Sequence, residues 1–354
     1  MTELVWYGWL KTKPRRLKIQ LIINSPGTII KQKDECFRIQ NETDRMDIAA
    51  PRVESIILSN KVMITTQSIV LALENNIDVI FLDNYGDPLG RVWFSKMGST
   101  ALIRRKQLEA TENEKGINIV LELIQKKLEN QIEFLKKLKY SRPGKESVFN
   151  TPIRTISNSL DFLVSIKSNI SEARSQILGI EGTAGRAYFQ TVSKIMPEKY
   201  RFSGRSRRPA KDPFNAVLNY CYGVLYSMVE KACIIAGLDP FVGFMHTDNY
   251  NKKSLVFDFI EPFRIYAETV SVYLFTGKKV KESYFDVSSK STSLNQQGKP
   301  FVIDSLLKHL DEKIRYKKRN VKRKYIINHE AHRLANFLLN DEKEITKWLN
   351  IKEF

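Results

Sequence analysis

The chain has 354 residues, and 57 Lys and Arg against 39 Asp and Glu give it a formal net charge of +18. With 42% hydrophobic and 27% charged residues it is globular in composition, long enough for one large or two ordinary domains, and neither disordered nor fibrous. No stretch spans a membrane's width without charges, no secretory signal opens the sequence, and Cys36, Cys221 and Cys233 form no CxxC pair. Membrane and secreted readings are therefore set aside, and a reducing cytoplasm is expected.

The first 95 residues predict strands. LKIQLIIN, GTIIKQKDECFRI and RVESIILSNKVMIT are short, β-branched and separated by turn signals such as Ser25-Pro26-Gly27. Ile69, Val70 and Leu73 repeat at helical spacing after a Thr cap, predicting one short helix over Thr66 to Asn75. IDVIFLD returns to strand, and Asn84-Tyr85-Gly86-Asp87-Pro88 is a turn.

From about Ser99 the period changes to that of helices. Ile117 to Tyr140 and Thr155 to Leu178 each carry apolar residues at helical spacing. Asp212 to Gly237 reads as a long buried helix with an Asp cap, Pro213 in its first turn and a terminating glycine. Ser254 to Phe275 and Asn328 to Asn350 complete the pattern. The expected fold class is α+β: a small β domain over residues 1–95, then a larger all-α domain over 96–354.

Charge divides along the same line. Residues 1–95 carry a net +1 and the remainder +17. Two clusters concentrate it: Arg201, Arg205, Arg207, Arg208 and Lys211 in a Gly- and Ser-containing loop, and Lys313, Arg315, Lys317, Lys318, Arg319, Lys322, Arg323 and Lys324 with Tyr316 and Tyr325 interleaved. A single charge run is usually a solvated face, but two in one half of the chain make nucleic acid the leading partner.

The common nucleotide and hydrolase signatures are absent: no GxGxxG, no GxxxxGK[ST], no GxSxG. His329-Glu330-Ala331-His332 spaces its histidines three apart rather than four, and reads as an exposed or helix-packing stretch. His246 stands out within Gly243-Phe244-Met245-His246-Thr247-Asp248. It precedes SLVFDFIEPFR, where Asp258 and Glu261 are three apart and so share one helix face amid apolar neighbours. Acids there must be solvated in a cleft, paired (Arg264 is at hand) or bound to a cation. A third carboxylate, Glu181, lies among small residues in LGIEGTAGRAYF, which allow either close helix packing or the approach of a ligand.

These blocks together resemble the CRISPR-associated integrase family of spacer acquisition called Cas-one. EGTAGRAYF with Glu181, Asp212-Pro213-Phe214-Asn215-Ala216, GFMH ending in His246, and SLVFDFIEPFR occur in that family's order, and RVESIILSNKVMITTQSIVLALENNIDVIFLDNYGDPLGR is similar to its N-terminal signature. The resemblance covers most of residues 45 to 265 and is loose over the last 80 or so. It implies an N-terminal β-sandwich, a helical catalytic domain, a homodimer, and a complex with a small Cas-two partner that inserts protospacer DNA at the leader–repeat end of a CRISPR array. It places the family's metal-binding residues on Glu181, His246 and Glu261, with Asp258 a further acid near the site; Gly185 stands where alanine is usual. Two carboxylates and an imidazole suit Mg²⁺ or Mn²⁺, which would drive phosphodiester hydrolysis and 3′-hydroxyl transesterification without ATP. Arg205, Arg207, Arg208, Lys211, Lys317, Lys318, Arg319, Lys322 and Arg323 would then hold the DNA backbone. A stand-alone transposon integrase, a nuclease acting on branched DNA and a non-catalytic DNA-binding scaffold remain the alternatives.

Overall fold

The computed structural model describes residues 19–59, 61–83, 88–92, 101–246, 252–340 and 349. The chain divides into two compact units, residues 1–81 with 90–94, and residues 82–89 with 95–354.

The first unit contains β1 (Ile19–Ile23), β2 (Ile29–Lys33), β3 (Cys36–Gln40), β4 (Arg45–Ala49), β5 (Val53–Ser59), β6 (Met63–Ile64), α1 (Thr66–Glu74) and β7 (Asp78–Leu82), and β8 (Pro88–Val92) lies on the division. They form two four-stranded sheets, ordered β1-β5-β7-β8 and β4-β3-β2-β6. Strand β1 runs parallel to β5, while β2, β3 and β4 form an antiparallel meander. The predicted strand at 27–39 is thus two strands, because Asp34 turns the chain at φ 52° between Lys33 and Cys36. Alternation buries Leu21 and Ile23, Ile30, Phe37, Ile56 and Leu58, and these join Leu71 and Ala72 of α1 in one apolar cluster. The cap of α1 is Thr65, whose side chain accepts from the Ser68 amide. The turn expected at 84–88 lies outside the described residues as far as Asp87, and Pro88 opens β8.

The second unit contains α2 (Ala101–Ala110), α3 (Glu114–Tyr140), α4 (Ser147–Val164), α5 (Ile170–Lys194), α6 (Pro213–Ile235), α7 (Ser254–Phe259), α8 (Arg264–Thr276), α9 (Gly298–Asp311) and α10 (Arg323–Leu339). It is not all-α. Two antiparallel hairpins interrupt the helices, β9 (Phe285–Val287) with β10 (Thr292–Leu294), and β11 (Lys313–Tyr316) with β12 (Arg319–Lys322).

Helix α6 is buried on nearly every side. Asp212 caps it by accepting from the Asn215 amide, and Gly237 ends it at φ 87°. There the Gly237 and Leu238 amides donate back to the Ile234 and Cys233 carbonyls, a closed C-terminal turn that needs left-handed backbone. The helix expected over 155–178 is two helices, because Asn169 caps a new one by accepting from the Glu172 amide. The one expected over 254–275 is interrupted by a 3-10 turn at Glu261–Phe263, where Pro262 supplies no amide. Helix α10 begins earlier than expected, and the rest of that expectation, 341–348 and 350, lies outside the described residues. No helix among the described residues is long and apolar enough to cross a membrane.

Candidate active site

Helix α3 presents one polar face inward. Its apolar stripe includes Val120, Leu123, Ile124, Leu128 and Leu135, yet Asn130 and Gln131 are buried within it and Lys127 lies one turn earlier. Asn130 donates to the Pro262 carbonyl at 2.9 Å, satisfying an acceptor freed where the helix breaks. Lys127 Nζ contacts Glu181 Oε1 of α5 and lies 2.6 Å from Glu261 Oε2. Two of the expected site carboxylates therefore converge on one cation.

Glu261 is 3% exposed, and its other oxygen accepts from Arg264 Nε at 2.8 Å. Arg264 in turn donates to the Tyr226 hydroxyl at 2.9 Å and lies over the Tyr222 ring. Burial alone would push the Glu261 carboxyl up, but Arg264 and Lys127 beside it hold it down at about 2. A carboxylate whose folded pKa lies below its ordinary value of about 4.3 adds stability that is complete above about pH 5 and is lost as pH falls towards 2. The melting temperature should accordingly fall across that window, and Glu261→Gln should flatten the fall; a parallel acid limb in the variant would contradict the assignment.

Asp258 does not share the setting of Glu261, as their spacing on one helix would suggest. It turns to the 243–246 loop. Its Oδ2 accepts from the Phe244 and Met245 amides at 2.6 and 3.0 Å, and its Oδ1 from the His246 amide at 3.2 Å and from His246 Nδ1 at 2.5 Å. This pairing places the imidazole proton on Nδ1 and leaves Nε2 as the ring atom for a ligand. Gly243 permits the approach, since a Cβ there would meet Ser254 Cβ at 2.6 Å and Asp258 Oδ2 at 3.0 Å. Thr247 and Asp248 of the same motif lie outside the described residues.

A cavity of about 450 Å³ opens beside Glu181 and Lys127, lined also by Arg207, Arg264 and Glu268 among others. Gly182, Gly185 and Gly204 line it too, and a Cβ built at any of them would meet open space. The glycines around Glu181 thus leave room for a ligand, while Ala184 between them is buried and packs the helix.

Of the basic residues expected to hold DNA, Arg207, Arg208 and Lys211 are exposed on the loop before α6. Arg205 is placed differently. Its guanidinium is held by Asn215 and by Asn219 at 2.8 Å, between the Phe189 and Tyr222 rings, and burial lowers its pKa. It braces the loop and faces the cavity instead of free surface. Lys322 and Arg323 are ion-paired, with Asp311 and Glu312 at 3.1 and 2.7 Å. Lys317, Lys318 and Arg319 are exposed at the β11–β12 tip, where Lys317 and Lys318 take φ of 48° and 65°, a two-residue turn built without glycine. The His329–His332 stretch packs as expected: the His329 ring stacks on Tyr316, whose hydroxyl donates to Glu330 at 2.6 Å.

The structure thus brings Glu181 and Glu261 together through Lys127, and His246 together with Asp258. Among the described residues, no three His, Cys, Asp or Glu side chains form a group able to hold a metal ion. The donor chemistry nevertheless fits a divalent cation, with two carboxylates already sharing one positive charge and an imidazole oriented by a carboxylate. Sequence reasoning missed Lys127, Asn130, Gln131, Tyr222 and Glu268. The available signal was Lys127, Asn130 and Gln131 at i, i+3 and i+4 along an otherwise apolar helix face.

The chain matches the family described as CRISPR associated protein Cas1 over residues 21–308. It is 32% identical over 335 residues to CRISPR-associated endonuclease Cas1 1 of Archaeoglobus fulgidus, spanning 90% of this chain and 94% of that one. To the CRISPR-associated endonuclease Cas1 of Thermotoga maritima it is 26% identical over 325 residues, spanning 90% and 96%. Among solved structures it is similar to a casposase bound to integration product, with a TM-score of 0.82 and 25% identity over 94% of each chain. A Cas1 protein from Thermotoga maritima shares the fold, with a TM-score of 0.76, 23% identity, and 91% and 97% of the two chains covered.

Proposed function

Since the chain belongs to the CRISPR-associated Cas1 family, we propose that it is a DNA endonuclease and integrase that inserts protospacer DNA into a CRISPR array. The observation that carries the reading is the convergence of Glu181 and Glu261 on one cation, Lys127, which lines a basic cavity with Glu181; Glu261 follows by three residues the Asp258 that fixes His246. Glu181, Glu261 and Nε2 of His246 would hold Mg²⁺ or Mn²⁺. Bound there, the ion would supply Lewis acidity to the scissile phosphate and lower the pKa of the attacking 3′-hydroxyl. Arg264 keeps Glu261 ionised and fixed, Asp258 keeps the His246 proton on Nδ1, and the glycines of α5 admit the DNA backbone. Fixed charges in a shielded cavity stabilise a crowded phosphate better than mobile water does.

The finer features belong to the same reading. The two N-terminal sheets would face each other as a sandwich and serve a homodimer, residues 1–95 and 96–354 acting as dimerisation and catalytic domains. A small Cas2-type protein would be the partner and the cytoplasm the location. Support for the partner is the shared fold with a Cas6-RT-Cas1–Cas2 complex, at a TM-score of 0.78. Arg207, Arg208 and Lys211, with Lys317, Lys318 and Arg319 of the hairpin, would hold DNA phosphates. Replacing the three hairpin residues with alanine should weaken binding to any DNA sequence and lower the slope of log affinity against log salt by up to about 3, near 0.9 for each phosphate no longer neutralised. An unchanged slope would remove the hairpin from the interface.

The likeness to a casposase favours one second reading, a transposon integrase. Incubating the protein with a supercoiled leader–repeat plasmid and a protospacer duplex, with and without the Cas2-type partner, separates them. Partner-dependent joining at the leader–repeat junction supports spacer acquisition. Partner-independent joining, confined to duplexes ending in terminal inverted repeats, supports the transposon reading.

A further inference from the structure

We propose that Lys127 is a resident cation with two seats, one between Glu181 and Glu261, where it competes with a divalent ion, and one at Gln131 and Glu268, to which it moves when that ion binds. The inference rests on the metal reading above.

The first seat is observed. Lys127 Nζ contacts Glu181 Oε1 and lies 2.6 Å from Glu261 Oε2, with only 11% of its side chain exposed. An ammonium and a metal ion cannot both take these oxygens, so binding a divalent ion requires the lysine to leave. Arg264 does not stand in its way, being fixed by Glu261 Oε1 and the Tyr226 hydroxyl and lying over Tyr222.

The second seat is the unexplained polarity on the same cavity wall. Gln131 follows Lys127 by four residues on α3, so both project from one helix face. It is 1% exposed, and neither of its amide atoms has a hydrogen-bond partner. Glu268 of α8 is 2% exposed; its Oε1 takes the Tyr222 hydroxyl at 2.6 Å, the buried Tyr188 hydroxyl also faces the carboxylate, and Oε2 has no partner in hydrogen-bond geometry. Gln131, Glu268 and Lys127 all line the cavity, and Glu268 lies within electrostatic reach of Lys127. A buried acceptor left without a donor is costly, and such atoms are rare in folded proteins. An ammonium arriving from Lys127 would give Gln131 Oε1 and Glu268 Oε2 the donor they lack. The four-carbon lysine stem is flexible, and Gln131 lies one turn further along the same helix face. The exchange leaves a positive charge in the cavity beside the incoming phosphate.

The test is Mn²⁺ titration of the full-length protein, free Mn²⁺ being read by electron paramagnetic resonance, for the wild type, Lys127→Met, Glu268→Gln and the double variant. Without its competitor, Lys127→Met should bind Mn²⁺ about tenfold more tightly or better. Glu268→Gln removes the charge of the second seat and should bind about threefold more weakly, and this loss should vanish in the Lys127→Met background. Equal affinity in all four proteins, or weaker binding by Lys127→Met, would overturn the two-seat proposal while leaving the metal site in place. No Mn²⁺ binding by any of the four would overturn the metal reading and this proposal with it. Should Lys127→Met fail to fold, Glu268→Gln still decides, because unchanged affinity there removes the second seat.

Discussion

Replacing Glu181 with alanine is expected to lower strand transfer about 10³-fold or more while changing DNA affinity by less than about threefold. On the proposed reading Glu181 contributes charge to the reaction and little to the fold. Its side chain is 22% exposed, in a helix where alanine is favoured, and its partner Lys127 keeps Glu261. A part-exposed ion pair adds little net stability. On the proposed reading one of two cation-binding carboxylates is lost, so the chemistry should fail while the basic surfaces proposed to hold DNA are untouched. Joined product on a sequencing gel and fluorescence anisotropy with the same duplex read the two quantities. Equal loss of both would make Glu181 a folding residue.

Asp258→Ala should be the most destabilising change at the site. It strips an acceptor from three amides and from the His246 ring, and Phe244 and Met245 are 2% and 3% exposed, so water cannot readily replace it. Each buried donor left unpaired costs about 1–3 kcal/mol. The sum, about 3–5 kcal/mol, corresponds to a drop in melting temperature on the order of 10 °C. Asp258→Asn separates fold from orientation. Its amide oxygen can still accept from the loop, so most of the melting temperature should return. Its NH₂ group cannot hold the imidazole proton on Nδ1 as a carboxylate does, so strand transfer should stay about 10²-fold down or lower. Recovery of activity along with stability would show that Asp258 only braces the loop.

Much of this was legible from local rules. The α6 ends follow from Asp212-Pro213 and Gly237, and Thr65 marks the start of α1. Other signals were present and underweighted: Asn169 with Glu172 is a capping pattern that splits 155–178, and Pro262 breaks 254–275. Strand β4 buries only Ile48 among its five residues, so it lacks the alternation that would announce it. The β11–β12 turn places two lysines at positive φ, where the usual signal is Asn or Gly. At the site, the blocks holding Glu181, His246 and Glu261 stood out through one of only four histidines, acids in apolar or small-residue surroundings, and the resemblance to the Cas1 family. Lys127 was not, since a lysine in KKLENQ reads as a solvated face until tertiary packing places it between two acids. The same limit hid the ion pairs of Lys322 and Arg323, whose partners Asp311 and Glu312 lie across the hairpin.

Glu181, Glu261 and His246 are proposed to hold one divalent ion at the place where a DNA 3′-hydroxyl joins a target phosphate. The most direct test follows a labelled 3′-hydroxyl duplex into a supercoiled leader–repeat plasmid, with Mn²⁺ or with EDTA, for the wild type and His246→Ala. Joined strands should form with Mn²⁺ and the wild type alone, and disappear with EDTA or with the variant. Joining that persists in EDTA, or at the wild-type rate in His246→Ala, would contradict it.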